Sequence, residues 1–114
     1  MYEIKAYVRE NMAEHVVDAL AKLKGIASIA VVPLNEFGHL VGDGSPLTEV
    51  KMVKFEVDIA TDAVMEEVVD TIVRTGRTRD GHPGDGKILV SRIVKAVRIE
   101  DGATDGDALQ PVTS

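Results

Sequence analysis

Hydrophobic and polar residues alternate along Tyr2–Val8, with Tyr2, Ile4, Ala6 and Val8 on one side and Glu3, Lys5 and Tyr7 on the other. A period of two predicts a strand with one buried face. The period then changes. Met12, Val16, Ala19, Leu20 and Leu23 recur at steps of three and four, with Glu14, Asp18 and Lys22 outside. This predicts an amphipathic helix, with Asn11 as N-cap and Gly25 as its stop. Ser28–Leu34 is apolar nearly throughout, which predicts a central strand weakened at its far end by Pro33. Gly38–Glu49 has no periodicity and carries Gly38, Gly42, Gly44 and Pro46, so a long loop is expected there.

Lys51–Ile59 alternates again, with Val53, Phe55, Val57 and Ile59 inward and Met52, Lys54, Glu56 and Asp58 outward. Thr61 is placed to cap a second helix whose stripe is Val64, Val68 and Ile72, flanked by Met65 and Val69. An arginine-rich loop follows. Lys87–Ser91 and Val94–Ile99 then read as short strands, and 110–114 as a flexible tail after one domain over 1–109. The order β-α-β-β-α-β, with a short extra strand, is that of the α+β ferredoxin-like fold: an antiparallel sheet with two helices on one face. The other face is left to solvent or to another subunit, and Tyr7, Met52 and Leu89 on it favour an oligomer.

Composition narrows the function. The 114 residues contain no cysteine, so disulfides and thiol chemistry are excluded, and no apolar run approaches the roughly 18 residues of a membrane span. No signal peptide is visible and a cytoplasmic location is expected. The net charge of −6 with 4% aromatic residues argues against nucleic acid. Against that balance, Arg74–Arg98 holds seven cations and two carboxylates, a local +5 that leaves −11 elsewhere. At its centre stands Gly81-His82-Pro83-Gly84-Asp85-Gly86-Lys87. A glycine-rich turn in a positive field suits a phosphate or another small anion, and equally describes a solvated hairpin turn. It is not a P-loop: Ile88 replaces the Ser or Thr that would hold Mg²⁺, and the loop leads from a helix into a strand. His15, His39 and His82 lie on three separate elements, so no metal site is expected. No paired carboxylates or nucleophile–base pair point to an enzyme.

Three segments carry a resemblance. Glu36-Phe37-Gly38 looks like the G-F-G that opens the long loop of the PII signalling proteins, the nitrogen-regulatory family with its divergent PII-like relatives. Arg77-Thr78 with Gly84-Asp85-Gly86-Lys87-Ile88 resembles that family's R-T-G-x-x-G-D-G-K-I-F. Val97-Arg98-Ile99 with Gly102-Ala103-Thr104-Asp105-Gly106 resembles its V-R-I-R-T-G-E-x-G. The resemblance spans about residues 2 to 109. It implies a homotrimer with an adenine nucleotide in each inter-subunit cleft. By position, Gly84, Asp85, Gly86 and Lys87 would wrap the phosphates, with Arg98 reaching across the cleft. Phe37 and Gly38 would lie beside the nucleotide, and Ala30, Glu56 and Asp58 near its base.

The departures from the family pattern are specific. Leu40 stands where the family has the glutamine that helps hold Mg²⁺ and 2-oxoglutarate, Ala30 lacks the family threonine hydroxyl, and Glu100 replaces a second phosphate-facing arginine. The long loop has no tyrosine to be uridylylated. ADP or AMP is therefore expected over ATP, with no further cofactor. The resemblance implies a regulator whose 38–49 loop acts on a partner such as a membrane transporter. PII-like branches include bicarbonate-responsive proteins of inorganic-carbon uptake and others encoded beside metal-efflux pumps. A second effector such as bicarbonate would sit at His39, Gly42, Asp43, Gly44 and Ser45, whose alternative reading is an ordinary flexible turn. The competing identities are a ferredoxin-like trimer of the divalent-cation-tolerance type and a slow nucleotide hydrolase.

Overall fold

The computed structural model describes residues 1–112. Its elements are β1 (Tyr2–Arg9), α1 (Ala13–Leu20), β2 (Ala30–His39), β3 (Leu47–Ile59), α2 (Asp62–Gly76) and β4 (Gly86–Arg92). The four strands form an antiparallel sheet in the order β2-β3-β1-β4. Alternation decides which side is buried. Ile4, Ala6 and Val8 of β1 and Val53, Phe55, Val57 and Ile59 of β3 join Val16, Leu20, Val68 and Ile72 of the helices in one core. Both helices therefore cover the same sheet face, as the periodicity predicts. Thr61 caps α2, its Oγ1 accepting from the Val64 amide at 3.3 Å. None of the helices in the described residues is long and apolar enough to cross a membrane.

Five local expectations are corrected. First, β2 is an edge strand, not a central one, and it starts at Ala30; Val31 is 50% exposed. Its apolar run reflects a face left open in the protomer, and the missing Pro33 amide is tolerable on an edge. Second, both ends of the expected 38–49 loop are strand. The β2–β3 ladder continues through Gly38↔Thr48 and His39↔Leu47, leaving a turn of residues 40–46. Backbone pairing does not need apolar alternation, so the ladder outruns its sequence signal. Third, Asn11 does not cap α1, because a 3-10 turn at Glu10–Met12 intervenes and Met12 takes the cap position. Fourth, Val94–Ile99 is not a strand. It forms a single bridge, Val97↔Thr104, closed by Arg98 N–H to the Ala103 carbonyl at 2.8 Å. Fifth, Met52 points to the outer face as expected but is 1% exposed within the protomer, its Cε beside Gly86. Of the expected tail, Gln110 accepts from Arg98, and Thr113 and Ser114 lie outside the described residues.

Candidate functional site at the Arg77–Lys87 loop

Helix α2 ends at Gly76, buried where a Cβ would meet Val8 at 3.4 Å, and Arg77 turns the chain out in an extended conformation. The loop that follows is drawn together by one side chain. Asp85 accepts from the Thr78 amide at 3.1 Å, the His82 amide at 2.8 Å, the Thr78 hydroxyl and Arg9 Nε at 3.1 Å. Arg9 Nη2 also donates to the Pro83 carbonyl at 2.8 Å. Burial opposes the charge on Asp85, but these donors outweigh it and bring its pKa down to about 2. The carboxylate is thus occupied in holding the loop, and what the segment turns outward is backbone and Lys87.

The glycines flanking Asp85 are required by close approach. Gly86, at φ +118°, brings its backbone so near β1 that a Cβ would fall 1.7 Å from the Tyr7 carbonyl oxygen. At Gly84, φ +88°, a Cβ would stand 2.9 Å from Arg9 Nη2 and 3.3 Å from Leu40. Gly86 leaves no room for a Cβ, and the positive φ of Gly84 favours glycine there as well. Lys87 pairs with Tyr7 across the β1–β4 ladder, and its ammonium lies over the Tyr7 ring. Between this loop, β1 and the last turns of α2 runs a groove of about 530 Å³. Val69, Val73 and Ile88 wall it and Arg77 and His82 supply basic groups, while Tyr7 and Lys87 border it with their side chains turned to the outer sheet face. A cation, glycines without side chains and an apolar wall fit the phosphate and carbon parts of a nucleotide.

The other expected residues fall into three groups. Phe37 and Gly38 lie on β2 below the hairpin turn, and Leu40 touches the Gly84 position, so the turn's base adjoins the loop. Ala30, Glu56 and Asp58 share the outer sheet face with Lys87, several residues further along the ladders. Ala30 pairs with Glu56, Glu56 with Lys5, and Asp58 with Glu3. Glu56 is bound to Lys54 at 3.0 Å, and burial, with Glu3 and Glu56 nearby, raises the pKa of Asp58. Arg98 is held within its own C-terminal segment. Its Nε and Nη2 grip Asp101 at 3.0 and 2.7 Å, and Nη1 donates to the Asp107 and Gln110 carbonyls. One chain therefore brings Gly84–Lys87 together with the hairpin base but keeps Arg98 elsewhere.

At the hairpin tip, the Ser45 hydroxyl donates to the Gly42 carbonyl at 2.8 Å and His39 Nδ1 lies 2.5 Å from the Ser45 carbonyl. Asp43 and Gly44 are exposed there. Among the described residues, no group of three or more His, Cys, Asp or Glu side chains is placed to hold a metal ion. Arg9 is the member that periodicity does not disclose. It follows a clean alternating strand and carries no motif, and its partner lies 76 positions away.

Comparison with known proteins identifies the family. Residues 1–103 match the family model described as nitrogen regulatory protein P-II. The chain is 32% identical to nitrogen regulatory protein P-II of Klebsiella oxytoca, and 33% identical to that of Pyropia yezoensis. Each alignment covers 96% of this chain and all of the relative. Among solved structures, a B. subtilis GlnK–ATP complex superposes with a TM-score of 0.79 at 25% identity, covering 95% of this chain and 94% of that one. The chain belongs to the nitrogen regulatory protein P-II family and is a regulatory signalling protein of that family.

Proposed function

We propose that this P-II family member binds an adenine nucleotide, its phosphates held by Lys87 and the backbone of Gly84–Gly86, and signals through the β2–β3 hairpin. The observation that carries this is the cradle itself: two positive-φ glycines, one packed where a Cβ would strike the Tyr7 carbonyl, directly followed by a cation. The B. subtilis GlnK structure similar to this chain is a complex with ATP.

The site is completed in a homotrimer. Val31 and Val32 on one sheet edge and Leu89 and Val90 on the other are exposed, as are Val94 and Ile99, at 97% and 100%. Apolar surface distributed in this way favours burial between protomers. ADP or AMP is favoured over ATP because Arg98 already faces Asp101 at 2.7 Å and Glu100 at 4.0 Å, leaving less positive charge for a third phosphate. Leu40 beside Gly84 ties the nucleotide loop to the hairpin, so binding biases the hairpin between conformations that a partner such as a membrane transporter distinguishes. Bicarbonate at His39–Ser45 is the second effector in this scheme.

Calorimetric titration with AMP, ADP and ATP, with and without bicarbonate, tests the reading. Lys87→Ala should weaken binding of each nucleotide about tenfold or more, as expected for a charge-assisted phosphate contact. Unchanged affinity removes the site.

A further inference from the structure

Lys87 is unlike the cations that are already committed to a carboxylate. Arg9 is paired with Asp85, Lys54 with Glu56, Arg74 with Asp70 and Arg98 with Asp101. Among the described residues, no carboxylate lies within ion-pair distance of Lys87, and its neighbour Asp85 is taken up by Arg9, Thr78 and His82. Its ammonium instead lies 5.2 Å from the centroid of the Tyr7 ring, inside the range of about 6 Å at which a cation is attracted to an aromatic face. The contact follows from the fold. Tyr7 and Lys87 are direct partners across the β1–β4 ladder, so both side chains leave the same sheet face.

Resting on the nucleotide reading above, we propose that Tyr7 is a positioning residue for phosphate recognition, its ring holding the Lys87 ammonium on the outer sheet face beside the Gly84–Gly86 turn. A carboxylate in that place would also fix the lysine, but it would cancel the charge the phosphate needs. An aromatic face restrains the flexible four-carbon stem and leaves the charge whole. Tyr7 has a second hold on the loop, independent of its side chain, because its carbonyl is the atom that Gly86 approaches. Replacing the ring therefore leaves the Gly86 approach in place and isolates the effect on Lys87.

The test compares Tyr7→Phe, which keeps the ring face, with Tyr7→Leu, which removes it, each checked for an unchanged melting transition. Without ligand, proton NMR should show the Lys87 ε-methylene signals moved upfield by the ring current in the parent and in Tyr7→Phe. In Tyr7→Leu they should sit at ordinary positions. In calorimetry with ADP, Tyr7→Leu should raise Kd about threefold to tenfold while Tyr7→Phe matches the parent. In a Lys87→Ala background, Tyr7→Leu should cost nothing further.

Equal ADP affinity of parent and Tyr7→Leu overturns the proposal while leaving the nucleotide reading intact. So does a loss in Tyr7→Phe equal to that in Tyr7→Leu, or a Tyr7→Leu loss that persists without Lys87. Failure of the parent protein to bind AMP, ADP or ATP overturns the nucleotide reading and the role of Tyr7 with it. A Tyr7→Leu variant that melts early is replaced by Tyr7→Met, judged by the same outcomes.

Discussion

Arg9 and Asp85 meet with Nε 3.1 Å from Oδ1, joining the end of the first strand to the loop that opens the fourth. Both side chains are largely shielded, at 26% and 18% exposure, so solvent screens the pair less than it would a surface salt bridge. Their contact, with that of Arg9 to the Pro83 carbonyl, ties the loop to the first strand.

Asp85 should make loop stability depend on acid. Its pKa is lowered from 3.8 to about 2, so the native state favours the ionised form. The stabilisation is fully present above the unfolded pKa near 4 and is lost as pH falls through about 2. A shift of this size corresponds to roughly 2–2.5 kcal/mol at neutral pH. Urea denaturation of Asp85→Asn should show that deficit at pH 7 and little difference from the parent near pH 2. An equal deficit at both pH values would mean that charge is not what holds the loop.

Gly86→Ala should be among the most damaging single-methyl additions in the chain. The new Cβ would sit 1.7 Å from the Tyr7 carbonyl oxygen on a backbone at φ +118°. We expect a loss of about 2 kcal/mol or more, from strain and from the parted β1–β4 ladder. Gly44→Ala is the control: nothing lies within 4 Å of its Cβ position, and its melting temperature should stay within error of the parent. Similar melting curves for the two variants would contradict the close approach.

Asp101→Asn should free Arg98. The Asp101 carboxylate takes two guanidinium nitrogens and has its pKa lowered to about 2, first by the hydrogen bond from Arg98 and then by the Ala103 amide. With that partner neutralised, Arg98 offers more charge to phosphate, and ATP affinity should rise about threefold, more than AMP affinity. Calorimetry on the two nucleotides reads this directly. A fall in affinity would assign the pair a purely structural role in the C-terminal segment.

Thr61→Ala should cost about 1 kcal/mol in chemical denaturation, with nucleotide affinity unchanged. Its hydroxyl caps α2 through the Val64 amide, at the end of the helix away from Arg77. Full stability in the variant would show that packing alone starts this helix.

What the chain determines by itself is whatever depends on near neighbours. Side-chain direction alternates with each residue of a strand, so Ile4, Ala6 and Val8, and likewise Val53 to Ile59, declare their buried face without reference to the rest of the molecule. The cap at Thr61, and a glycine-rich turn ending in Lys87, are local in the same way. Tertiary structure decides what depends on strand order and register between distant segments. It sets β2 at the edge although its sequence is apolar, and it carries the hairpin ladder through Gly38 and Thr48, where no alternation marks it. It buries Met52 on the outer face and brings Arg9 across 76 residues to Asp85. These are choices of partner, and a partner is selected by three-dimensional proximity and charge, which no periodicity along one segment encodes.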